Sequence, residues 1–300
     1  MNGRFTGRSL VHLKPATRRR ISSDVIETTD ATRTATASAQ LRVASVGFIN
    51  ARPLLEGLEQ DESLALSLDV PSGLLRRLRD GSADVALLPT IDLQREPGLC
   101  ILPCGGIGCN GPTLTVRLFS QTPFDKVTTL ACDPDSHTSV ALARIILKRV
   151  YGVEPDRIDL YDARGVEGEA RLLIGDKVVC EEPAGFEHQL DLGGAWKELT
   201  GLPFVFAVWT ARDSVDVADL PEKLSNAREA GLANVQRLIN KYAIPRGWPA
   251  GVALQYYTQY LRYDIGQPQL DAIRRFHAMA AEDGIISNPP RDIPIVGDCV

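Results

Sequence analysis

Short apolar segments alternate with amphipathic segments along the first half of the chain. Leu41 to Phe48 is apolar and rich in β-branched residues, which predicts a buried strand. Leu64 to Val70 and Asp84 to Pro89 predict two more strands. A helix from Leu54 to Glu59 precedes the second strand, and a helix that opens at Pro71 precedes the third. This strand–helix–strand order is typical of a parallel sheet with right-handed crossovers.

The middle of the chain repeats this order between two long strands. Leu114 to Ser120 alternates apolar and polar residues, and Phe204 to Ala211 is a strongly apolar strand. The segments between them predict a helix over Thr138 to Tyr151 and strands at Thr128 to Cys132, Ile158 to Tyr161, Ala170 to Ile174 and Val178 to Cys180. The last third predicts helices at Glu222 to Tyr242, Ala250 to Tyr263 and Gln267 to Ala281.

We therefore predict an α/β protein whose chain builds part of one lobe, crosses to a second lobe and returns. The two long strands are the expected crossings, so lobe 1 comprises residues 41–120 and 210–300 and lobe 2 comprises residues 121–209. This layout resembles the type II periplasmic-binding-protein fold, in which a hinge lets two lobes close around a ligand. A small molecule is expected in the interlobe cleft, where strand ends and helix N-termini of both lobes meet.

Composition and charge exclude several other classes of protein. The 300 residues are 44% hydrophobic and 24% charged, with a formal net charge of -5, so no basic surface is expected to attract nucleic acid. No apolar run approaches the roughly 20 residues of a membrane helix, so no membrane partner is expected.

The first 40 residues differ from the rest of the chain. They hold seven Lys and Arg against three acidic residues and few apolar ones, which predicts a disordered tail or a start codon upstream of the natural one. No continuous apolar stretch follows Arg18-Arg19-Arg20, so a secretion signal is not expected.

The cysteines show no metal or disulfide pattern. None of the six forms a C-x-x-C pair, and only four histidines could join them, so no metal site is expected. We interpret Cys100, Cys104 and Cys109 as small, half-buried residues in strands and turns. Scattered cysteines suit a reducing cytoplasm, which is the predicted location. The six are Cys100, Cys104, Cys109, Cys132, Cys180 and Cys299.

Four segments that adjoin strands are expected to line the cleft. The first comprises residues 47–54. Its Asn50 carries an amide donor and acceptor, although it could equally cap the next helix. The second comprises residues 69–73, where Ser72 caps a helix or offers the N-terminus of that helix to a carboxylate. The third is the glycine-rich segment 105–113, where backbone can approach a ligand, with Cys109, Asn110 and Gly111 as predicted contacts. It precedes a strand, so a dinucleotide is not expected.

The fourth segment begins a long amphipathic helix. Backbone N–H groups there, with the hydroxyls of Ser136, Thr138 and Ser139, favour an anion site for a substrate carboxylate. The helix dipole adds about 0.3–1 kcal/mol to such binding when the site is exposed. The alternative is that Ser136 or Asp135 only caps the helix. His137 is the nearest titratable side chain and a predicted substrate contact without a firm role.

Seven motifs give the chain a resemblance to a known family. In chain order they resemble the chorismate dehydratase family of the futalosine route to menaquinone, over about residues 41 to 290. The last is the most specific, because composition alone would not produce it. The motifs are G-F-I-N-A-R-P-L (47–54), P-S-G-L (71–74), D-G-S-A-D-V-A-L-L-P-T (80–90), G-P-T-L-T-V-R-L-F-S (111–120), D-S-H-T-S-V-A-L (135–142), L-L-I-G-D (172–176) and L-G-G-A-W-K-E-L-T-G-L-P-F-V-F-A-V-W (192–209).

The resemblance implies a hydro-lyase that converts chorismate to 3-[(1-carboxyvinyl)oxy]benzoate and water with no metal or organic cofactor. We expect Asn50 to be catalytic. Because an amide is not a base at neutral pH, Asn50 would orient the hydroxyl or hold a substrate carboxylate that transfers the proton itself. The chain departs from the family at Phe48, where Tyr is usual, at Cys109, where Ser is frequent, and at His137, where Arg is common. These departures bear on side-chain contacts to the substrate more than on the reaction itself.

Three alternative functions stay open. The sister enzyme that cleaves cyclic dehypoxanthine futalosine resembles this family in fold, but opens with a proline- and cysteine-bearing turn in place of F-I-N-A-R-P-L. A non-enzymatic solute-binding protein would be expected to carry an export signal. A ligand-sensing regulator would need a DNA-binding module, for which only the first 40 residues are spare. The oligomeric state is not predicted.

Overall fold

The computed structural model describes residues 40–132, 136–159, 170–180, 183–217 and 219–296. The predicted tail lies outside these ranges except for Gln40, and so do Cys299 and the alternative helix cap Asp135. Within the described ranges, no helix is long and apolar enough to cross a membrane.

Strands and helices alternate along the described chain. The strands are β1 (Leu41–Val46), β2 (Leu64–Asp69), β3 (Val85–Pro89), β4 (Leu99–Cys109), β5 (Val116–Ser120), β6 (Thr129–Cys132), β7 (Asp156–Asp159), β8 (Ala170–Ile174), β9 (His188–Asp191), β10 (Phe204–Arg212) and β11 (Leu261–Arg262). The α-helices are α1 (Pro71–Arg79), α2 (His137–Tyr151), α3 (Asp176–Val179), α4 (Leu192–Thr200), α5 (Leu220–Ala233), α6 (Val235–Leu238), α7 (Ala250–Gln255) and α8 (Gln267–Glu282). Short 3-10 helices include Ile49–Leu55 and Thr90–Gln94, and π-helical turns include Tyr256–Tyr260.

Two sheets organise these elements. The first has the order β11-β4-β10-β3-β1-β2, with β1 parallel to β2 and β3, and β10 antiparallel to β3 and β4. The second has the order β7-β6-β8-β5-β9, with β6 parallel to β7 and β8, and β5 antiparallel to β8 and β9. Each sheet contains the predicted parallel strand–helix–strand unit, and each also contains an antiparallel strand next to a crossing between the sheets, β5 or β10.

Sheet membership shows where the chain crosses between the lobes. The strand β5 belongs to the second sheet and β10 belongs to the first, whereas the predicted division placed β5 in lobe 1 and residues 204–209 of β10 in lobe 2. The crossings therefore lie at about residues 110–115 and 201–203. We propose residues 41–109 and 204–296 as lobe 1 and residues 116–200 as lobe 2. The apolar pattern predicts where a strand lies, but it does not determine which sheet the strand joins.

The last helix ties the two lobes together. Although α8 follows lobe 1 in the chain, Phe276 and Met279 pack into the apolar core of the second sheet. The Phe276 ring meets the buried Trp196 edge-on, with centroids 6.1 Å apart. Arg149 of α2 pairs with Asp283, just after α8, at 2.8 Å. These contacts fix α2, whose first turn contributes to the site described below.

Two local predictions are corrected by the structure, and two of its elements were not predicted. The glycine-rich segment 105–113, which we expect to line the cleft, lies largely in a strand, because its residues up to Cys109 belong to β4. A Cβ added at Gly106 would lie 2.6 Å from the Ala207 carbonyl oxygen, so glycine lets β4 approach β10 closely. The strand predicted at Val178 to Cys180 is wrong, since α3 occupies most of it. The elements β9 and α4 were not predicted, because the sequence H-Q-L-D of β9 is largely polar.

Candidate functional site

A cavity of about 320 Å³ lies between the two sheets. On the lobe 1 side it is lined by the 3-10 helix after β1 and by residues of β3 and β10. On the lobe 2 side it is lined by the crossing before β5, the start of α2 and the turn between β8 and α3. Its walls are mainly apolar, as at Leu87, Ile107, Ile174 and Phe206. Such a cavity fits a small organic molecule.

Asn50 lines this cavity from lobe 1. The N-cap of its 3-10 helix is Phe48, so the alternative in which Asn50 caps the helix does not hold. The side-chain Oδ1 of Asn50 is buried and has no hydrogen-bond partner among the described residues. A buried polar atom without a partner costs about 1–3 kcal/mol. A ligand that donates a hydrogen bond to this oxygen would remove that cost.

The first turn of α2 lines the same cavity from lobe 2. Ser136 is the N-cap residue, but its side chain makes no capping hydrogen bond, so the alternative of a Ser136 side-chain cap does not hold. The first bond within the helix joins Val140 N–H to the Ser136 carbonyl at 3.0 Å. The N–H groups of residues 137–139 therefore have no acceptor within the helix. Thr138 Oγ1 accepts a bond from Ile91 N–H at 3.3 Å, which leaves the Thr138 hydroxyl proton for a ligand.

His137, in the same turn, is held by a buried carboxylate. Its Nδ1 lies 2.8 Å and 3.0 Å from the two carboxylate oxygens of Asp92, a residue with 0% exposure. Arg95 Nη1 also donates to Asp92 Oδ1 at 2.7 Å. Sequence reasoning missed Asp92. The one available signal was its position in the 3-10 helix after β3, at a strand end that reaches the cleft.

Two further polar groups complete the cavity. Tyr256 OH and Thr115 Oγ1 share a hydrogen bond of 2.8 Å, and burial raises the pKa of the Tyr256 phenol well above its usual range. The phenol therefore stays neutral at physiological pH. Asp176 Oδ1 accepts a bond of 2.8 Å from Trp248 Nε1, which links lobe 2 to lobe 1 at this end of the cleft. Lys177 also lines the cavity.

Four predicted contacts are not among the residues that line the cavity. Ser72 is next to Pro71, which does line it. Cys109 is packed in the second core, and this burial raises the pKa of its thiol to about 12. Asn110 is exposed and Gly111 has a φ of 123° in the turn after β4. The structure thus brings together Asn50 and Ser136–Ser139 but not these four, whose contact with a substrate stays a prediction.

The cysteines and acidic residues form no metal centre in the described part of the chain. There, no group of three or more His, Cys, Asp or Glu side chains is placed to hold a metal ion. Cys100, Cys104, Cys109 and Cys132 are buried and Cys180 is exposed. The first three are thus more deeply buried than the half-buried positions that we predict for them.

Three solved structures with this fold are similar to the chain in structure but distant from it in sequence. A protein from Archaeoglobus fulgidus has a TM-score of 0.66 at 18% identity, with 83% of this chain and 100% of that chain covered. A Candida albicans protein described as having the generic periplasmic-binding-protein fold has a TM-score of 0.59 at 16% identity, covering 83% and 91%. The alkanesulfonate-binding protein of Xanthomonas axonopodis pv. citri, bound to MOPS, has a TM-score of 0.56 at 13% identity, covering 84% and 96%. These likenesses confirm the predicted two-lobed fold.

Sequence comparisons point to one family. Chorismate dehydratase of Thermus thermophilus is 27% identical over 230 residues, which is 69% of this chain and 83% of that protein. A family model described as menaquinone biosynthesis matches residues 41–282, which is most of the chain and includes every residue around the cavity. The protein therefore belongs to the menaquinone biosynthesis family.

Proposed function

We propose that the protein is a chorismate dehydratase, a hydro-lyase that converts chorismate to 3-[(1-carboxyvinyl)oxy]benzoate and water. The observation that carries this proposal is the meeting of Asn50 Oδ1, which has no partner among the described residues, with the open first turn of α2 in one interlobe cavity. The similarity to the Thermus thermophilus enzyme supports it. The predicted cytoplasmic location is part of the same proposal.

The lining of the cavity suits the two ends of this substrate. Chorismate is a six-membered ring with one carboxylate on the ring, a hydroxyl group, and an ether that bears a second carboxylate. The N–H groups of residues 137–139 and the hydroxyls of Ser136, Thr138 and Ser139 can hold a carboxylate at the positive end of α2. The apolar walls, including Ile107 and Phe206, can enclose the ring. The mixture of a mainly apolar wall and a few polar groups favours an orientated small acid.

The reaction needs charge to gather on the ring carboxylate. The hydrogen that leaves is on the ether-bearing carbon, and that C–H bond is conjugated to the ring carboxylate through a double bond. Donors at the carboxylate stabilise the charge that develops as the C–H bond breaks. The first turn of α2 supplies such donors. Asn50 can contact the leaving hydroxyl or the second carboxylate through its amide.

Purified protein mixed with chorismate tests this function directly. We expect the wild-type protein to form the aromatic product, and chromatography measures how much of it accumulates. Asn50→Ala should reduce kcat/KM roughly 10- to 150-fold, since a hydrogen bond to a charged group contributes about 1.5–3 kcal/mol. Asn50→Asp should also lose turnover, because it adds negative charge beside a dicarboxylate. Asn226→Ala is the matched control: the residue is exposed, lies in α5 and is outside the cavity lining, so the kinetics of this variant should match the wild type.

Two other outcomes would assign another function. Tight binding of chorismate without conversion would favour a non-enzymatic solute-binding protein of the same fold. Conversion of cyclic dehypoxanthine futalosine but not chorismate would identify the sister enzyme. Normal chorismate turnover by both Asn50 variants would remove Asn50 from the mechanism while leaving the reaction assigned.

A further inference from the structure

We propose that His137 carries the proton during the dehydration and that Asp92 is the positioning residue that sets its imidazole. This inference rests on the proposed function and adds to it the group that moves the proton. It comes from a pair of side chains that the structure brings together although they are 45 positions apart in the sequence.

The bonding around His137 determines which ring nitrogen carries a proton. The two carboxylate oxygens of Asp92 lie 2.8 Å and 3.0 Å from Nδ1, and a carboxylate bonded to Arg95 can only accept. Nδ1 therefore bears the hydrogen in this bond. In a neutral imidazole the lone pair is then on Nε2. Among the described residues Nε2 has no hydrogen-bond partner, and the His137 side chain, 24% exposed, lines the cavity.

The other titratable groups that line the described cavity are less suited to take a proton from carbon. Lys177 is a donor when charged, and Tyr256 has a phenol that burial keeps protonated and that bonds to Thr115. Asp176 accepts a bond from Trp248 at Oδ1, and its Oδ2 lies 4.0 Å from Arg246 Nε, so both oxygens face donors of lobe 1. His137 is left as the group that can both accept and return a proton.

The proposed step balances without any further reactant. Nε2 of His137 takes the hydrogen of the ether-bearing carbon as a proton, and the C–H electron pair becomes a ring double bond. The neighbouring C–O bond breaks, and its electron pair leaves with the hydroxyl. The imidazolium then returns the proton from Nε2 to that oxygen, which gives water. Because the two ring oxygens are trans, the hydrogen and the hydroxyl lie on one face, so one imidazole can serve both.

Asp92 faces this group from the 3-10 helix Thr90–Gln94, and Arg95, the C-cap of that helix, pairs with Asp92. The Asp92 carboxylate holds the ring in one tautomer and one orientation and balances the positive charge that forms on it. The first turn of α2 adds the positive end of the helix dipole next to His137. Asp135, two residues earlier, lies outside the described residues.

Steady-state kinetics of position 137 variants with chorismate test the proposal. His137→Asn keeps a donor for Asp92 but has no basic nitrogen, and His137→Arg keeps a cation that can bind a carboxylate. Both should lose roughly 10²- to 10⁴-fold in kcat, which is the usual contribution of general acid–base catalysis, with a much smaller change in KM. Free imidazole should restore part of the turnover of His137→Ala, a result that a purely structural role of His137 would not give.

Asp92→Asn tests the positioning role. An asparagine side chain has one acceptor oxygen and no negative charge, so it holds the Nδ1–H group of His137 less firmly than the Asp92 carboxylate does. The kcat of Asp92→Asn should therefore fall by roughly 10²-fold or more, and free imidazole should not restore it. Because Asp92 is buried, the substitution could unfold the protein, so the thermal unfolding of Asp92→Asn is measured beside that of the wild type. If this variant fails to fold, His137→Asn and the imidazole rescue of His137→Ala decide the question.

The outcomes separate this proposal from the proposed function. Normal kcat in His137→Asn with wild-type turnover intact would overturn the dyad, keep the dehydratase function and favour transfer by the substrate's own carboxylate. Full kcat in His137→Arg would assign His137 to charge rather than proton transfer. A kcat loss in Asp176→Asn that exceeds that of His137→Asn would assign the proton to Asp176. No product from wild-type protein would overturn both proposals.

Discussion

Gly193, in the first turn of α4, lies against the crossing between β4 and β5. A Cβ added there would lie 2.3 Å from Thr113 Cγ2, 2.6 Å from Cys109 Sγ and 2.6 Å from the Gly111 carbonyl oxygen. Distances below 3.0 Å force a shift of the crossing or of the helix. Its neighbour Gly194 would place a Cβ no closer than 3.7 Å to any atom, which is ordinary contact.

This contrast gives opposite predictions for two substitutions that are one residue apart. Alanine in place of helical glycine gains up to about 1 kcal/mol through propensity, so Gly194→Ala should be neutral or more stable than wild type. Overpacking costs about 1–3 kcal/mol, and three contacts are too short at Gly193, so Gly193→Ala should lose about 1–2 kcal/mol net of propensity. Because Thr113 lines the cavity, Gly193→Ala should also raise the KM for chorismate.

Urea unfolding followed by far-ultraviolet circular dichroism measures both variants under one set of conditions. The midpoint of Gly193→Ala should fall and that of Gly194→Ala should stay or rise, with similar m-values. Equal midpoints for the two variants would show that α4 does not sit as tightly on the crossing as the structure places it. A fall only in Gly194→Ala would refute the packing argument outright.

Two further predictions concern stability. The Asp191 carboxylate accepts hydrogen bonds of 2.8–3.1 Å from the N–H groups of Thr113, Leu114 and the first turn of α4. Asp191→Ala should therefore lower the free energy of unfolding in urea by about 3 kcal/mol, and an unchanged value would contradict this. Burial lowers the pKa of His277 from 6.5 to about 4, so its stabilising contribution is complete above about pH 6.5 and is lost as pH falls toward 4. Between pH 7 and 5 wild type should lose about 2 kcal/mol more than His277→Gln in paired urea titrations; equal losses would show that His277 does not govern the acid sensitivity.

The fold was largely predictable where burial follows a simple pattern. The apolar segments that became β1, β3 and β10 are short, continuous and bounded by turn residues, so each predicted strand matches the structure closely. The start of α2 was predicted to within one residue from hydroxyl-rich residues before an amphipathic run. In these segments the local pattern and the tertiary environment favour the same structure.

The remaining features of the fold depend on how closely segments that are distant in the sequence pack against each other. The strand β4 was not predicted at its glycines, because glycine gives no apolar periodicity. Carbonyl oxygens of β10 lie 2.6 Å from the Cβ position at Gly106 and at Gly108, which explains why side chains are absent there. The sheet to which β5 and β10 belong is likewise a property of pairing rather than of pattern.

The site was predictable in part for the same reason. Asn50 and Ser136–Ser139 were identified from turns that follow strands, and the structure places all of them around one cavity. Asp92 could not be predicted as their neighbour, since its contact with His137 exists only once β3 and α2 are packed. Cys109, Asn110 and Gly111 were assigned from their position in the glycine-rich segment 105–113, but β4 buries Cys109 and the turn after it exposes Asn110.

A crystal structure of the wild-type protein with 3-[(1-carboxyvinyl)oxy]benzoate bound tests the central claim most directly. The account predicts density for this compound in the interlobe cavity, with one carboxylate at the N–H groups of Thr138 and Ser139 and a hydrogen bond to the Asn50 amide. Density at another surface, or in the cavity without contact to either group, would contradict it.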